Sequence, residues 1–208
     1  TANKKEETVQ EIPMNISVIT EADIEERGIT NPEDFLRTLA GVTTPGGSRY
    51  FTFRGLNTSQ AQRSPGTSST YVDDIRGLNM NIFDVQRIEV LRGPQGTLYG
   101  SNAIGGTIRY ITNKPSTEGF ASKFSVEVGE KEFAVENVQM YNAMVNVPLS
   151  ENVALRAVAS KSVDPGIYQN VMTGREGVGT QRDDMMRVTL GFEFDRLDGY
   201  VRYEEINR

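Results

Sequence analysis

Asp73-Asp74 and Asp183-Asp184 are the residues whose type and spacing could do chemistry. Brought together, such carboxylates can hold a divalent cation or divide acid and base roles between them. Neighbouring acids are usually turn residues, however, and nothing in the sequence fixes a separation between the two pairs. The rest of the composition narrows the field. There is no Cys and no His, which removes disulfides, thiolate nucleophiles, imidazole bases and most zinc or copper sites. Only carboxylates, Lys, Ser and Thr remain for catalysis. Most hydrolase and metalloenzyme readings fail on that ground.

Residues 85–108, VQRIEVLRGPQGTLYGSNAIGGTI, form the densest local pattern. Gly93, Gly96, Gly100, Gly105 and Gly106 allow positive φ and close backbone approach, so the chain can reverse where a side chain would not fit. A glycine-rich loop can also cradle phosphate, but neither GxxxxGK[ST] nor GxGxxG is present. Nucleic acid is disfavoured as well. Twenty-two Lys and Arg against 28 Asp and Glu give a net charge of −6, which leaves no basic field for a phosphate backbone.

The elements that must position these residues fall into two stretches. With 208 residues the chain can build one ordinary domain or two small ones. Charge and pattern both change near Pro115: residues 1–115 carry 12 basic and 13 acidic side chains, and 116–208 carry 10 and 15. Residues 1–11 are polar and read as a flexible lead-in. Ile16, Val18 and Ile19 predict a short strand, and Thr20 caps a helix that ends at Gly28. Asn31 as N-cap, Pro32, and the acids Glu33 and Asp34 open a second helix that buries Phe35, Leu36 and Leu39 and stops at Gly41. Loops at 43–49 and 57–69 flank a strand-like run at 50–54 and are the first places to look for ligand contact. A strand enters a tight turn at 71–75, and a short helical turn followed by a strand occupies 83–91. Helices and strands interleave, as in an α/β unit.

After Gly119 the period becomes two. Phe124, Val126 and Val128 alternate with polar residues, as do Tyr141, Ala143, Val145 and Val147, then Val153, Leu155, Ala157 and Ala159, then Met186, Val188, Leu190, Phe192 and Phe194. A further strand starts near Tyr200, so about five antiparallel strands are expected. Their connections are read at 130–132, 148–152, 163–182 and 196–199. No apolar run approaches the roughly 18 to 20 residues of a spanning helix, a test that leaves a spanning β-barrel untouched. In such a barrel 148–152 and 196–199 would be periplasmic turns and 163–182 an outer loop, with the first outer loop unusually short. A soluble β-sandwich also alternates with one wet face, so the pattern alone leaves both architectures open.

The run RIEVLRGP at 87–94, Tyr99-Gly100, AIGG at 103–106, the apolar strand at 107–112 and Lys114-Pro115 resemble the plug domain of TonB-dependent outer-membrane receptors. The resemblance continues upstream through Ile12-Pro13, Ser17-Val18-Ile19-Thr20, Ala40-Gly41-Val42, Phe53-Arg54-Gly55 and Tyr71-Val72-Asp73, and covers roughly 10–115. Val147-Pro148-Leu149 and Leu155-Arg156 look like the family's first barrel hairpins, a weaker match because short alternating strands carry little information each. One departure lies at Asp73-Asp74, where the family usually has Asp-Gly, so the turn must take an Asp where Gly would be easier.

The resemblance implies a lead-in at 1–11 after a TonB box, an α/β plug with a small mixed sheet and short helices at 12–117, and the first strands of an incomplete transmembrane β-barrel at 118–208. Most of the TonB box is expected to lie ahead of Thr1-Ala2, and the carboxylates that hold the plug are expected beyond Arg208. Such a barrel has about 22 strands, so five cannot close one or transport alone. It further implies that Arg54 and Arg92 face those carboxylates, a task that suits a fixed, permanently charged guanidinium. The implied function is energy-coupled uptake of a scarce solute in the outer membrane of a Gram-negative bacterium, with the plug facing the periplasm; it is transport rather than catalysis, so the resemblance implies no enzyme, no catalytic residue, no metal ligand and no cofactor. Its partners would be TonB, outer-membrane lipid and a ferric siderophore, or else cobalamin or an oligosaccharide. Ligand contact is expected at Arg49, Tyr50, Gln60 and Arg63 in the plug and at Tyr168 and Arg175 in the outer loop, because aromatic faces and guanidinium groups suit polyanionic or aromatic chelates. A rival class is a soluble glycan-binding or carboxylate-enzyme β-domain built on the four paired acids, and it leaves the 92–106 motif unexplained. A receptor that signals without importing would need a further folded domain ahead of the plug.

Overall fold

The computed structural model describes residues 15–29, 32–43, 52–53, 56–57, 68–76, 82–93 and 105–207. Two compact units result, Thr1–Asn113 and Lys114–Arg208.

In the first unit, Thr20 closes β1 (Asn15–Thr20) and caps α1 (Glu21–Glu26). Asp23 N–H donates to Thr20 Oγ1 at 3.3 Å and Thr20 N–H donates to Asp23 Oδ2 at 2.9 Å, a reciprocal capping box. Gly28 then reverses the chain at φ 61°. α2 (Pro32–Arg37) starts on its proline, and Gly41 takes φ 75° a few residues later; Asn31 lies outside the described residues. β2 (Val42–Thr43), β3 (Thr52–Phe53) and β4 (Leu56–Asn57) form a small antiparallel sheet.

The main sheet joins β1 to β5 (Ser68–Val72), β6 (Ile75–Arg76), β7 (Val85–Arg92) and β8 (Gly106–Thr112) in the order β1-β7-β8-β5-β6. β5 and β8 run parallel and the remaining neighbours antiparallel. The helical turn expected near Phe83 is a plain turn at Phe83-Asp84, with Asp84 at φ 62°. β7 lies inside the sheet and is buried on both faces from Ile88 to Leu91, Glu89 included. Ile88, Val90, Ile108 and Tyr110 form the core with Ile24, Phe35 and Leu36 from the helices. Each such aliphatic or aromatic side chain contributes about 1.5–3 kcal/mol when buried. The Tyr110 ring meets Phe35 edge-on at 6.5 Å, and burial pushes its phenol well above the ordinary tyrosine range.

The second unit is an open antiparallel sheet of β9 (Ala121–Gly129), β10 (Val138–Ser150), β11 (Val153–Asp164), β12 (Gln181–Phe194) and β13 (Leu197–Asn207), each strand beside its neighbour in sequence. Its polarity is inverted relative to a soluble sheet. One face carries Ala143-Ala159-Met186, Val145-Ala157-Val188-Tyr203 and Val147-Leu155-Leu190-Val201 as cross-strand rows, and this face is bare, with Val126 68% and Val201 66% exposed. The opposite face is covered, and there Asn146-Arg156-Thr189-Arg202 and Met144-Val158-Arg187-Glu204 form the rows. Asn146 is 1% and Arg187 2% exposed. On β11 and β12 the apolar band ends where Lys161 lies opposite Asp184. A sandwich would cover its apolar face, so this sheet is not half of one.

The connections correct two expectations. The first connection, expected to be unusually short, runs 130–137 rather than 130–132, because Phe133 takes φ 64° and cannot continue a strand. The long loop is 165–180, tighter than the expected 163–182, and the turns shrink to Glu151-Asn152 and Asp195-Arg196.

Candidate functional site

Of the residues expected to contact ligand, Arg49, Tyr50, Gln60 and Arg63 lie outside the described residues, as do Arg54, Gly96 and Gly100. Arg92 ends β7, half-buried, and its Nη1 donates to Ser17 Oγ at 2.8 Å on the neighbouring β1. Gly93 follows at φ 95° with nothing within 4 Å of where a Cβ would stand, so conformation rather than space calls for glycine. Gly93 N–H donates to Gly105 O at 3.1 Å and closes the base of the glycine-rich loop. Gly105 and Gly106 are buried, the latter nearly extended at φ 156°.

The first acidic pair has partners that a metal or acid–base site would need to displace. Asp73 is the residue at positive φ (52°) in the β5–β6 turn. Its carboxylate accepts from Thr112 N–H and Thr112 Oγ1, both at 2.9 Å, which offsets the strain of that conformation. Asp74 is exposed and accepts from Arg109 Nη2 at 3.4 Å. Arg109 is buried and donates from Nη1 to Glu89 Oε2 at 2.8 Å, and Arg87 Nε reaches the other oxygen of Glu89 at 2.9 Å. Two guanidinium groups thus hold one buried carboxylate, a cluster the sequence did not single out because it depends on β7 and β8 aligning Glu89 with Arg109. Asp183 and Asp184 are successive residues of β12 and point to opposite faces. They cannot ligate one ion together, and no group of three or more acids able to hold a metal occurs among the described residues.

At the loop end of the open sheet, 130–137 is tied to the strand ends that flank 165–180. Arg182 Nη2 meets Glu136 Oε1 at 2.7 Å and Lys131 Nζ meets Asp164 Oδ1 at 2.7 Å. Inside the longer loop, Asn170 Oδ1 accepts from Met172 N–H at 2.9 Å and Thr173 N–H at 3.1 Å, while Val178 N–H donates to Tyr168 O at 2.9 Å. Gly166 is required by contact, since a Cβ there would stand 2.2 Å from Val178 O. These bonds frame a cleft of about 460 Å³ whose lining includes Val135, Glu136, Asn170, Arg175 and Arg182. Arg175 is therefore at the cleft; Tyr168 is 69% exposed and outside its lining. Glu136 and Arg182 were not foreseen, because no local pattern reports a pair 46 residues apart.

Comparison with known proteins follows the same lines. Residues 8–107 match the family described as TonB-dependent Receptor Plug Domain. The chain is 32% identical over 162 residues to an iron-regulated outer membrane virulence protein of Vibrio cholerae, covering 72% of this chain and 25% of that protein. It is 36% identical over 128 residues to a vitamin B12 transporter of Vibrio vulnificus, with coverage of 54% and 20%. The crystal structure of the ferric yersiniabactin uptake receptor of Yersinia pestis matches with a TM-score of 0.70 at 25% identity, over 88% of this chain and 29% of that one. The chain thus spans about a quarter of the length of these relatives. With a plug-family match over its first half and an open sheet that bares its apolar face, the chain belongs to the TonB-dependent outer-membrane receptors.

Proposed function

We propose that this chain forms the plug and first barrel strands of a receptor that imports a ferric siderophore, driven by TonB. The observation that carries the reading is the inverted sheet. A wall with bare Val126, Leu190 and Val201 on one side and covered Asn146, Arg156 and Arg187 on the other is stable between hydrocarbon and a wet interior. The iron-related descriptions of two of the three relatives support a ferric chelate as cargo; the vitamin B12 transporter keeps cobalamin as the second reading.

In this scheme the plug faces the periplasm, and TonB pulls on a box ahead of it. The plug rearranges and no covalent bond is made or broken. Arg49, Tyr50, Gln60 and Arg63 with Tyr168 and Arg175 receive the ligand. Arg54 and Arg92 hold the plug through carboxylates on the inner wall, where a guanidinium fork binds bidentately.

The test is uptake by the whole receptor in cells lacking other importers, with radio-iron siderophores, cobalamin and oligosaccharides offered in parallel and with TonB present or deleted. TonB-dependent iron uptake is the expected result. TonB-dependent uptake of cobalamin or oligosaccharide alone overturns the siderophore assignment. In the same cells Arg54→Ala with Arg92→Ala raises passive permeability, and unchanged conductance removes their holding role.

A further inference from the structure

Residues 114–119 cross the covered face of the open sheet and are held there by one side chain. Asn146, on β10, donates from Nδ2 to Ser116 O at 2.8 Å and to Gly119 O at 2.9 Å, and its Oδ1 accepts from Ser116 N–H at 2.9 Å. Both donors and the acceptor of the amide are thereby used on main-chain groups, a pattern that neither Asp nor Leu can reproduce. Two strands away on the same face, Gly191 makes room for Pro115: a Cβ at 191 would stand 3.1 Å from Pro115 Cβ and Cγ. Tyr200, opposite Gly191 in register, lies with its ring 5.8 Å from Lys114 Nζ and 5.3 Å from Arg202 Cζ, both within cation–π reach.

The span is short and bends once, at 117–118. From Pro115 on β12 to Ala121 at the start of β9 the segment crosses three strand spacings, about 14–15 Å, while its extended length is about 20 Å. The remaining length is taken up in that bend, which Asn146 closes by bonding Ser116 on one side and Gly119 on the other.

We propose that Asn146 is the positioning residue for the fixed end of plug movement: 114–119 stay on the wall while rearrangement occurs in the chain ahead of Lys114. The idea rests on the transport reading above, and its test has one arm independent of that reading. In the purified full receptor, amide exchange of Ser116 is about tenfold or more faster in Asn146→Ala than in wild type, as expected for loss of hydrogen bonds worth roughly 1 kcal/mol each. Ser116→Ala frees the Glu118 N–H that its hydroxyl accepts at 3.2 Å but keeps the Ser116 amide protected, because Asn146 contacts only the backbone of Ser116. Equal exchange in Asn146→Ala and wild type overturns the clamp.

The second arm uses Ser116→Cys with Asn146 intact, in living cells. Residues 1–208 contain no other thiol. Maleimide labelling at position 116 proceeds at the same rate with TonB energised by substrate or de-energised, whereas adding Asn146→Ala makes labelling several-fold faster on energisation. A merely structural role would raise labelling equally in both states. A rise on energisation with Asn146 intact overturns the fixed end, and this arm decides even where Asn146→Ala fails to assemble. If TonB drives no uptake at all, the transport reading fails while the exchange result stands on its own.

Discussion

Glu89 sits between Arg87 and Arg109 with 4% of its side chain exposed, and the two arginines differ in how far they share its burial. Arg109 is 6% exposed and Arg87 29%. Removing Arg109 takes from the buried carboxylate its more deeply buried partner and leaves only Arg87 on Oε1, so Arg109→Ala costs about 3 kcal/mol, whereas Arg87→Ala costs about 1 kcal/mol or less. Urea-induced exposure of the plug in the whole receptor reads the difference, and equal losses would show that Glu89 is not held chiefly by Arg109. The Asp73-Asp74 turn shows what single residues reveal and conceal. The sequence marked this turn as strained, on the expectation that the second Asp replaces a glycine. The structure puts the positive φ on Asp73 instead, and the compensation comes from Thr112, 39 residues away. A local motif has no access to that partner.

At the scale of elements, caps and alternation were legible because they are local. Thr20, Gly28, Pro32 and Gly41 bound the helices as their side-chain chemistry dictates, and the period-two runs became β9 to β13. Loops were read less well. Phe133 and Val135 imitate a strand's alternation while lying in the 130–137 connection, where nothing but a positive φ at Phe133 breaks the pattern.

Two predictions belong to this scale. The Thr20 hydroxyl first, and then the Thr20 N–H, hold the Asp23 carboxyl below its ordinary value of 3.8. The folded state therefore releases that proton more readily than the unfolded state. The contribution is complete above pH 3.8 and is lost as pH falls through the lowered folded value. Asp23→Asn removes this acid dependence, which amide exchange of α1 across that pH range would register. In the longer loop, Gly166→Ala drives a methyl into Val178 O. It opens the Tyr168–Val178 bridge and exposes 165–180 to protease with the strands intact; an unchanged cleavage pattern would show that the loop base tolerates a side chain.

The whole molecule was legible as a family before it was legible as a surface. The RIEVLRGP run fixed the plug, but alternation alone did not distinguish a barrel wall from a sandwich, because both bury one face. The decision came from which face is bare, a property of five strands together. Depth is testable on that face. Leu190 lies mid-band and Met186 at its edge, so Leu190→Arg costs about 2–4 kcal/mol and Met186→Arg about 0–1 kcal/mol in the receptor folded into lipid. Equal costs would remove the hydrocarbon assignment.

The Lys161–Asp184 row gives that wall a built-in waterline. From Met186 to Phe194 the strand runs about 27 Å at ~3.4 Å per residue, so the charged row marks where oil gives way to water. Sinking by even two residues would drown a carboxylate, and the protein must float at one height. The connections at 130–137 and 165–180 then begin barely past that line, and the cleft beside Arg175 lies among them.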